Sequence, residues 1–174
     1  VYDYNTQYPN LIRIEEHNHF VTFSAFATDR HKTFEGWESL QNTEYRIEYR
    51  QGVKKCAEKL KILIPSERLS SVGKIEQGII RLFKGRTDIF IGVQDLVITY
   101  LQSTDFQVVI KKTAHGKTLH EVGIMEVTTG HSWLHKSHRD IAPKLAEVLR
   151  TMKKEGWFAE YRNQVGLCPA DLRW

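Results

Sequence analysis

Cysteine is scarce. Cys56 and Cys168 are the only two in 174 residues, with no CxxC pair and no spacing that suits a structural zinc site. This excludes a disulfide-stapled scaffold, while one disulfide in an oxidising compartment and two separate thiols both stay open. Long apolar runs are missing as well: nothing approaches the ~18 residues of a membrane-crossing helix. The first residues, VYDYNTQYPN, lack the basic stretch and apolar core of a signal peptide, so the expectation is a mature or truncated chain rather than a cytosolic one. A basic stripe is absent too. The net charge is +4, but 25 Lys and Arg are interleaved with 21 acids, and no aromatic platforms accompany them; no nucleic acid partner is expected.

Catalytic signatures are equally thin. There is no G-x-S-x-G, no cysteine with a histidine close by, and no carboxylate pair set apart by its context. Eight histidines include His17-x-His19 and the group His131, His135 and His138, but no cysteine or carboxylate completes a ligand set, and the second group precedes a helix start. Neither a metal nor another cofactor is expected, and no enzyme activity. What is present is ordinary globular composition, 41% hydrophobic and 26% charged, enough for one good core or two small ones.

The chain is organised around Trp133–Leu167. Ile141, Leu145, Val148, Leu149 and Met152 recur at helical spacing on one side, which predicts a helix over about 140–155 with that face buried. Asp140 is placed to cap its first turn, Pro143 sits where a missing N–H costs little, and Gly156 can take the left-handed conformation that stops it. Trp157, Phe158 and Tyr161, followed by Val165 and Leu167, predict a short second helix folding back.

Upstream, residues 11–28 read as two strands around a polar turn at Glu15–Asn18, the second apolar or small on both sides and so buried on both faces. A turn of helix at Gly36–Leu40 and a strand at Tyr45–Arg50 follow. Val53–Leu60 is helical in spacing. Ser70–Val72 reads as the cap of a helix over Lys74–Phe83, whose face carries Ile75, Ile79, Leu82 and Phe83. Asp88–Val93 suits a buried parallel strand, Asp95 caps a helix through Leu101, and Gln107–Lys111 reads as another strand. Strand and helix alternate from 45 to 111, the pattern of parallel βαβ units.

Taken together, the phrases LHKSHRDIAPKLAEVLRTMKKEG with its aromatic helix, GWESL leading to YRIEYRQG, IIRLFKGRTDIFIG and LHEVGIMEVT resemble family 3 extracytoplasmic solute-binding proteins, the polar amino-acid type that serves ABC transporters. The resemblance covers nearly the whole chain except the family's own beginning. It implies an α/β periplasmic binding protein type 2 fold: two lobes with mostly parallel sheets flanked by helices, residues 37–120 forming lobe 2, and residues 1–36 with 121–174 forming an incomplete lobe 1. It further implies a periplasmic protein that closes over a small polar solute, an amino acid or related carboxylate, and presents it to a membrane permease. The alternative is the ligand-sensing module of a signalling receptor. An N-terminal segment or a second copy in a homo-oligomer is expected to cover the strand at Phe20–Phe26 and the 141–152 helix.

Site residues follow from the same resemblance. Arg50, Gln51 and Gly52, where a strand gives way to a helix, are placed to receive a ligand carboxylate. Family members carry hydroxyl residues after that strand, whereas this chain has Gly52–Val53–Lys54; they carry an acid for the ammonium group where this chain has Val93. Gln94 and Asp95 lie near the expected cleft. Phe26 and Thr28 on the first-lobe side and Glu126 at the return crossing complete the set, although core packing suits Phe23 and Phe26 better. Glu126 is also the best placed carboxylate for an enzyme on this fold, a role that needs a raised pKa.

Overall fold

A computed structural model describes residues 8–164 and resolves the chain into two compact units. One contains the chain up to Val21 and from Thr128 onward; the other is Thr22–Val127. Strands β1 (Leu11–Ala27) and β6 (His120–His135) each run from one unit into the other.

The Thr22–Val127 unit is an α/β sandwich. After β1 come β2 (Phe34–Glu35), a 3₁₀ turn at Trp37–Leu40, β3 (Ile47–Arg50), α1 (Lys54–Leu63) and β4 (Leu69–Val72). Then follow α2 (Ile75–Phe83), β5 (Ile89–Val93), α3 (Gln94–Gln102) and α4 (Thr104–Thr113). The sheet order is β2-β6-β1-β5-β3-β4, with β3 parallel to both β4 and β5, and β1 antiparallel to β5. Three successive strand–helix units therefore run the same way, as the alternation predicted. Ile79, Leu82 and Phe83 of α2 are buried against Phe26, Phe90, Val97 and Phe106, so the apolar stripe read from the sequence is the core face. Thr22–Ala27 is already buried on both sides within the single chain, so the expected cover from a second copy is not needed to desolvate it.

Several local expectations are corrected. Glu15–Asn18 is not a turn: β1 is continuous over 17 residues, because the segment holds no glycine or proline, Glu16 pairs with Lys153 and Arg150, and the Asn18 amide meets Ser132. Ser70–Val72 is strand β4 rather than a helix cap; α2 is closed at its start by the Gln77 side chain, whose oxygen accepts the Lys74 amide hydrogen at 3.2 Å. Gln107–Lys111 lies inside helix α4, since Phe106, Val109 and Ile110 at helical spacing pack on the core while Val108 faces solvent. Asp95 is within the first turn of α3, with Val93 at its cap position.

The other unit pairs the first half of β1 with the last half of β6. The Asn18 amide donates to Ser132 Oγ at 3.0 Å, and the His131 ring lies 2.9 Å from the Ile14 carbonyl oxygen. A 3₁₀ helix at Lys136–Ile141 precedes α5 (Ala142–Lys154), so Asp140 lies one element ahead of the helix it was expected to cap. Gly156, at φ 82°, ends α5 where the sequence placed the stop, and α6 (Trp157–Gln164) follows. Val165, Leu167 and Cys168 lie outside the described residues. The apolar face of α5 is the main departure: Ile141, Leu145 and Val148 are exposed, and Ala146 is the residue that is buried. Glu16 anchors α5 through Lys153 and, at 3.3 Å, Arg150; the Lys153 hydrogen bond is the chief reason its pKa lies below the ordinary glutamate value.

Candidate functional site

Because β3, β4 and β5 are parallel and each leads into a helix, the starts of α1, α2 and α3 gather at one edge of the sheet. Helix starts present free amide hydrogens and a partial positive charge, and the carboxyl ends of parallel strands are where open α/β sheets bind ligands. The sequence-predicted residues Arg50, Gln51, Gly52, Gln94 and Asp95 all fall at this edge.

The structure gives them different roles. Gly52 turns the chain from β3 into α1 at φ 84°, and open space surrounds the position a Cβ would occupy. Gln51 is fixed to β4, its amide hydrogen on the Val72 carbonyl at 2.8 Å and its side chain donating to Ser71 Oγ at 3.2 Å. Gln94 is 8% exposed, and its amide nitrogen donates to both oxygens of Glu121, at 2.8 and 3.0 Å. Asp95 has a partner within the protein. Phe26 is 2% exposed in the apolar core, which makes it a packing residue and corrects its expected place among ligand contacts; Thr28 is half-buried at the end of β1.

Arg50 differs from all of these. Glu48 and Arg50 alternate with Ile47 and Tyr49 along β3, and Glu48 reaches Arg81 of α2 at 2.9 Å, so Arg50 shares the face that carries α2. Its residue is half-buried, its Nε is sealed from solvent without a hydrogen-bond partner, and its other nitrogens pair with no described residue. A desolvated guanidinium donor without a partner has room for one more hydrogen bond.

Glu126 belongs to a cluster that the sequence did not disclose. The Trp37 indole donates to its Oε2 at 2.8 Å, Lys55 of α1 pairs with its Oε1, and the Lys55 ammonium lies 6.0 Å from the centre of the Phe23 ring. Partial burial acts to raise the Glu126 pKa, but the hydrogen bonds from Lys55 and Trp37 and the charges of Lys55 and Lys59 outweigh it and hold the pKa below the ordinary value. Glu126 therefore lacks the raised pKa that a general acid would need. Beside it, Cys56 is a buried free thiol whose pKa is pushed up to about 12, first by burial and then by the Glu126 charge. Trp37 and Glu126 are 89 residues apart in sequence, and nothing local in either segment signals their meeting.

Comparisons with known proteins bear on this geometry. No protein-family model matches the chain. An uncharacterised protein of Shewanella oneidensis is 30% identical over 164 residues, which is 94% of this chain and 59% of that protein. Among solved structures, a P235GK mutant of ArgBP from T. maritima aligns at TM-score 0.61 and 14% identity, over 94% of this chain and 64% of that one. An arginine 3rd transport system periplasmic binding protein from Legionella pneumophila aligns at 0.59 and 12%, over 92% and 67%. A histidine kinase sensor domain similar to periplasmic binding proteins aligns at 0.64 and 13%, over 91% and 64%. The chain has the fold of these solved structures and spans about two thirds of their length, and 59% of the Shewanella protein.

Proposed function

We propose that this protein is an extracytoplasmic solute-binding protein that captures a small polar solute and delivers it to the membrane permease of an ABC transporter, without catalysing a reaction. The observation that carries this reading is Arg50, a partly desolvated guanidinium without a partner among the described residues, at the carboxyl edge of three parallel strands, beside the open turn at Gly52. The fold likeness supports it: ArgBP and the arginine 3rd transport system periplasmic binding protein named above share the architecture. In this reading residues 37–120 act as lobe 2, with residues 1–36 and 121–174 contributing to lobe 1, and Gly52 and the start of α1 stand beside Arg50 at the ligand. A periplasmic location goes with this role. No helix among the described residues is long and apolar enough to cross a membrane.

The test is thermal unfolding of the purified chain against amino acids, small carboxylates and opines. A ligand that binds only the folded state adds about 2.7 kcal/mol at a concentration 100 times its Kd, a rise of several degrees for a protein of this size. A rise confined to one ligand class is the expected result, and a flat response across the panel removes the reading.

A further inference from the structure

The two compact units differ in how much apolar surface they bury. Twenty-three buried apolar residues lie in the Thr22–Val127 unit, whereas the other unit has Ile14 and Ala146 alone among the described residues. Exposure runs the opposite way. Of the eleven large apolar side chains exposed among the described residues, five fall between 141 and 161: Ile141, Leu145, Val148, Trp157 and Tyr161. Val148, Met152 and Trp157 line an open groove of about 610 Å³ along α5 and the start of α6. Lys144 and Glu147 flank it, and neither has a partner among the described residues.

A contiguous apolar face on a unit with so small a core marks a surface that another piece of polypeptide covers. A second copy of the chain is a poor occupant: a stable dimer buries about 800 Å² and roughly 20–30 residues on each side, whereas seven residues line this groove. A segment joined to the chain needs far less area, because its effective concentration is already high. The matched proteins carry such a segment. About two fifths of the Shewanella protein and about a third of each solved structure lie outside the part that this chain spans. The Thr22–Val127 unit offers that extra polypeptide little, since its exposed apolar residues are dispersed over α1, α3, α4 and β6. We infer that the α5–α6 face is an internal surface, covered by a further segment of the protein that corresponds to the part of the Shewanella protein outside the match. That segment lays an apolar ridge against Leu145, Val148 and Trp157, with a basic group to meet Glu147 and an acidic one to meet Lys144.

Hydrogen–deuterium exchange, read by mass spectrometry on this chain and on the intact Shewanella protein, tests this. The match takes in 164 of the 174 residues, so α5 has a counterpart there. Strands β3 and β5, which are largely buried, give the reference within each protein and remove any difference in overall stability. Relative to them, the counterpart of α5 is expected to exchange roughly tenfold more slowly than α5 does in this chain. Both rates are expected to stay the same when either protein is concentrated about a hundredfold, because an internal cover does not depend on mass action. Equal relative rates in the two proteins overturn the inference and make the face an open surface. Protection that grows with concentration overturns it too, because a second copy then covers the face. Either of these results leaves the solute-binding reading standing.

Discussion

The Trp37 indole and the Glu126 carboxylate meet at 2.8 Å, and Lys55 takes the second carboxylate oxygen, so the turn after β2, helix α1 and strand β6 are held by one side chain. Trp37→Phe keeps an aromatic ring beside Phe23, where the indole now lies tilted with 5.8 Å between ring centres, but removes the donor. The expected cost is about 1.5–3 kcal/mol, the usual range for a hydrogen bond to a charged group. Urea unfolding of this variant beside Glu126→Gln checks it. If Trp37→Phe unfolds at the same urea concentration as the parent, the hydrogen bond contributes nothing.

Acid should weaken the fold through Asp88 and Glu126. The Asp88 pKa is depressed, first by the Arg46 side-chain hydrogen bonds at 3.0 and 3.1 Å and also by the Arg46 amide hydrogen at 2.9 Å, and that of Glu126 is depressed as described above. A carboxylate with a lower pKa in the folded state contributes stability that is present above its unfolded pKa, near 4, and lost as the pH falls through the folded value. Asp88→Asn should therefore lower the urea midpoint at neutral pH by an amount equivalent to about 1 kcal/mol, a modest figure because Arg46 is largely solvated, and flatten the acid limb. An acid limb of unchanged steepness would assign it to other groups.

Glu48 titrates in the opposite sense. It is fully buried, and burial raises its pKa despite the Ser70 hydroxyl at 2.9 Å and the Arg81 charge. The unfolded chain loses this proton first, so stability falls as the pH rises from the unfolded pKa through the folded one. Glu48→Gln is expected to remove that decline, which is read as the difference in urea midpoint between the two proteins across roughly pH 4 to 7.

Gly78 is a packing requirement. A Cβ there would lie 2.3 Å from the ring of Phe90, which is itself fully buried. Gly78→Ala should cost about 1–3 kcal/mol through overpacking, despite alanine's better helix propensity, and Phe90→Leu in the same chain should recover part of the loss. A gain in stability from Gly78→Ala alone would contradict the close approach.

The exposed face of α5 makes a contrasting prediction. Val148 is 52% exposed, and Val148→Asp should change stability by no more than about 0.5 kcal/mol. Ile79→Ala, at a fully buried position, should cost about 2–5 kcal/mol. A Val148→Asp cost comparable with that of Ile79→Ala would mean that the α5 face is covered after all.

Much of this architecture is legible in the residues. Helix and strand follow from local periodicity, so the stripe of Ile79, Leu82 and Phe83, the two-sided strand at Thr22–Ala27 and the stop at Gly156 could all be read in advance. The errors share a cause. Gln107–Lys111 is apolar enough for a strand or a helix, and only the place of Phe106 on the core settles which; Glu15–Asn18 is polar enough for a turn until its partners across the sheet are known. The α5 face looked buried because an apolar stripe tells what a helix can cover, not what stands beside it.

The site divides in the same way. That Arg50, Gln51, Gly52, Gln94 and Asp95 share one edge is legible because strand ends and helix starts are written locally, and parallel strands bring such junctions together. Which of them is free was decided by tertiary structure. Charge pairing depends on distances through space, and the register of β3 with β4 and β5, together with the crossing of β6, gives Glu126 to Lys55 and Trp37 and Glu121 to Gln94, while leaving Arg50 without a partner among the described residues. The sequence by itself determined the alternating elements and the edge at which their ends meet; only the folded chain decided the partners of the charges there, because those partners lie on segments far apart along the chain.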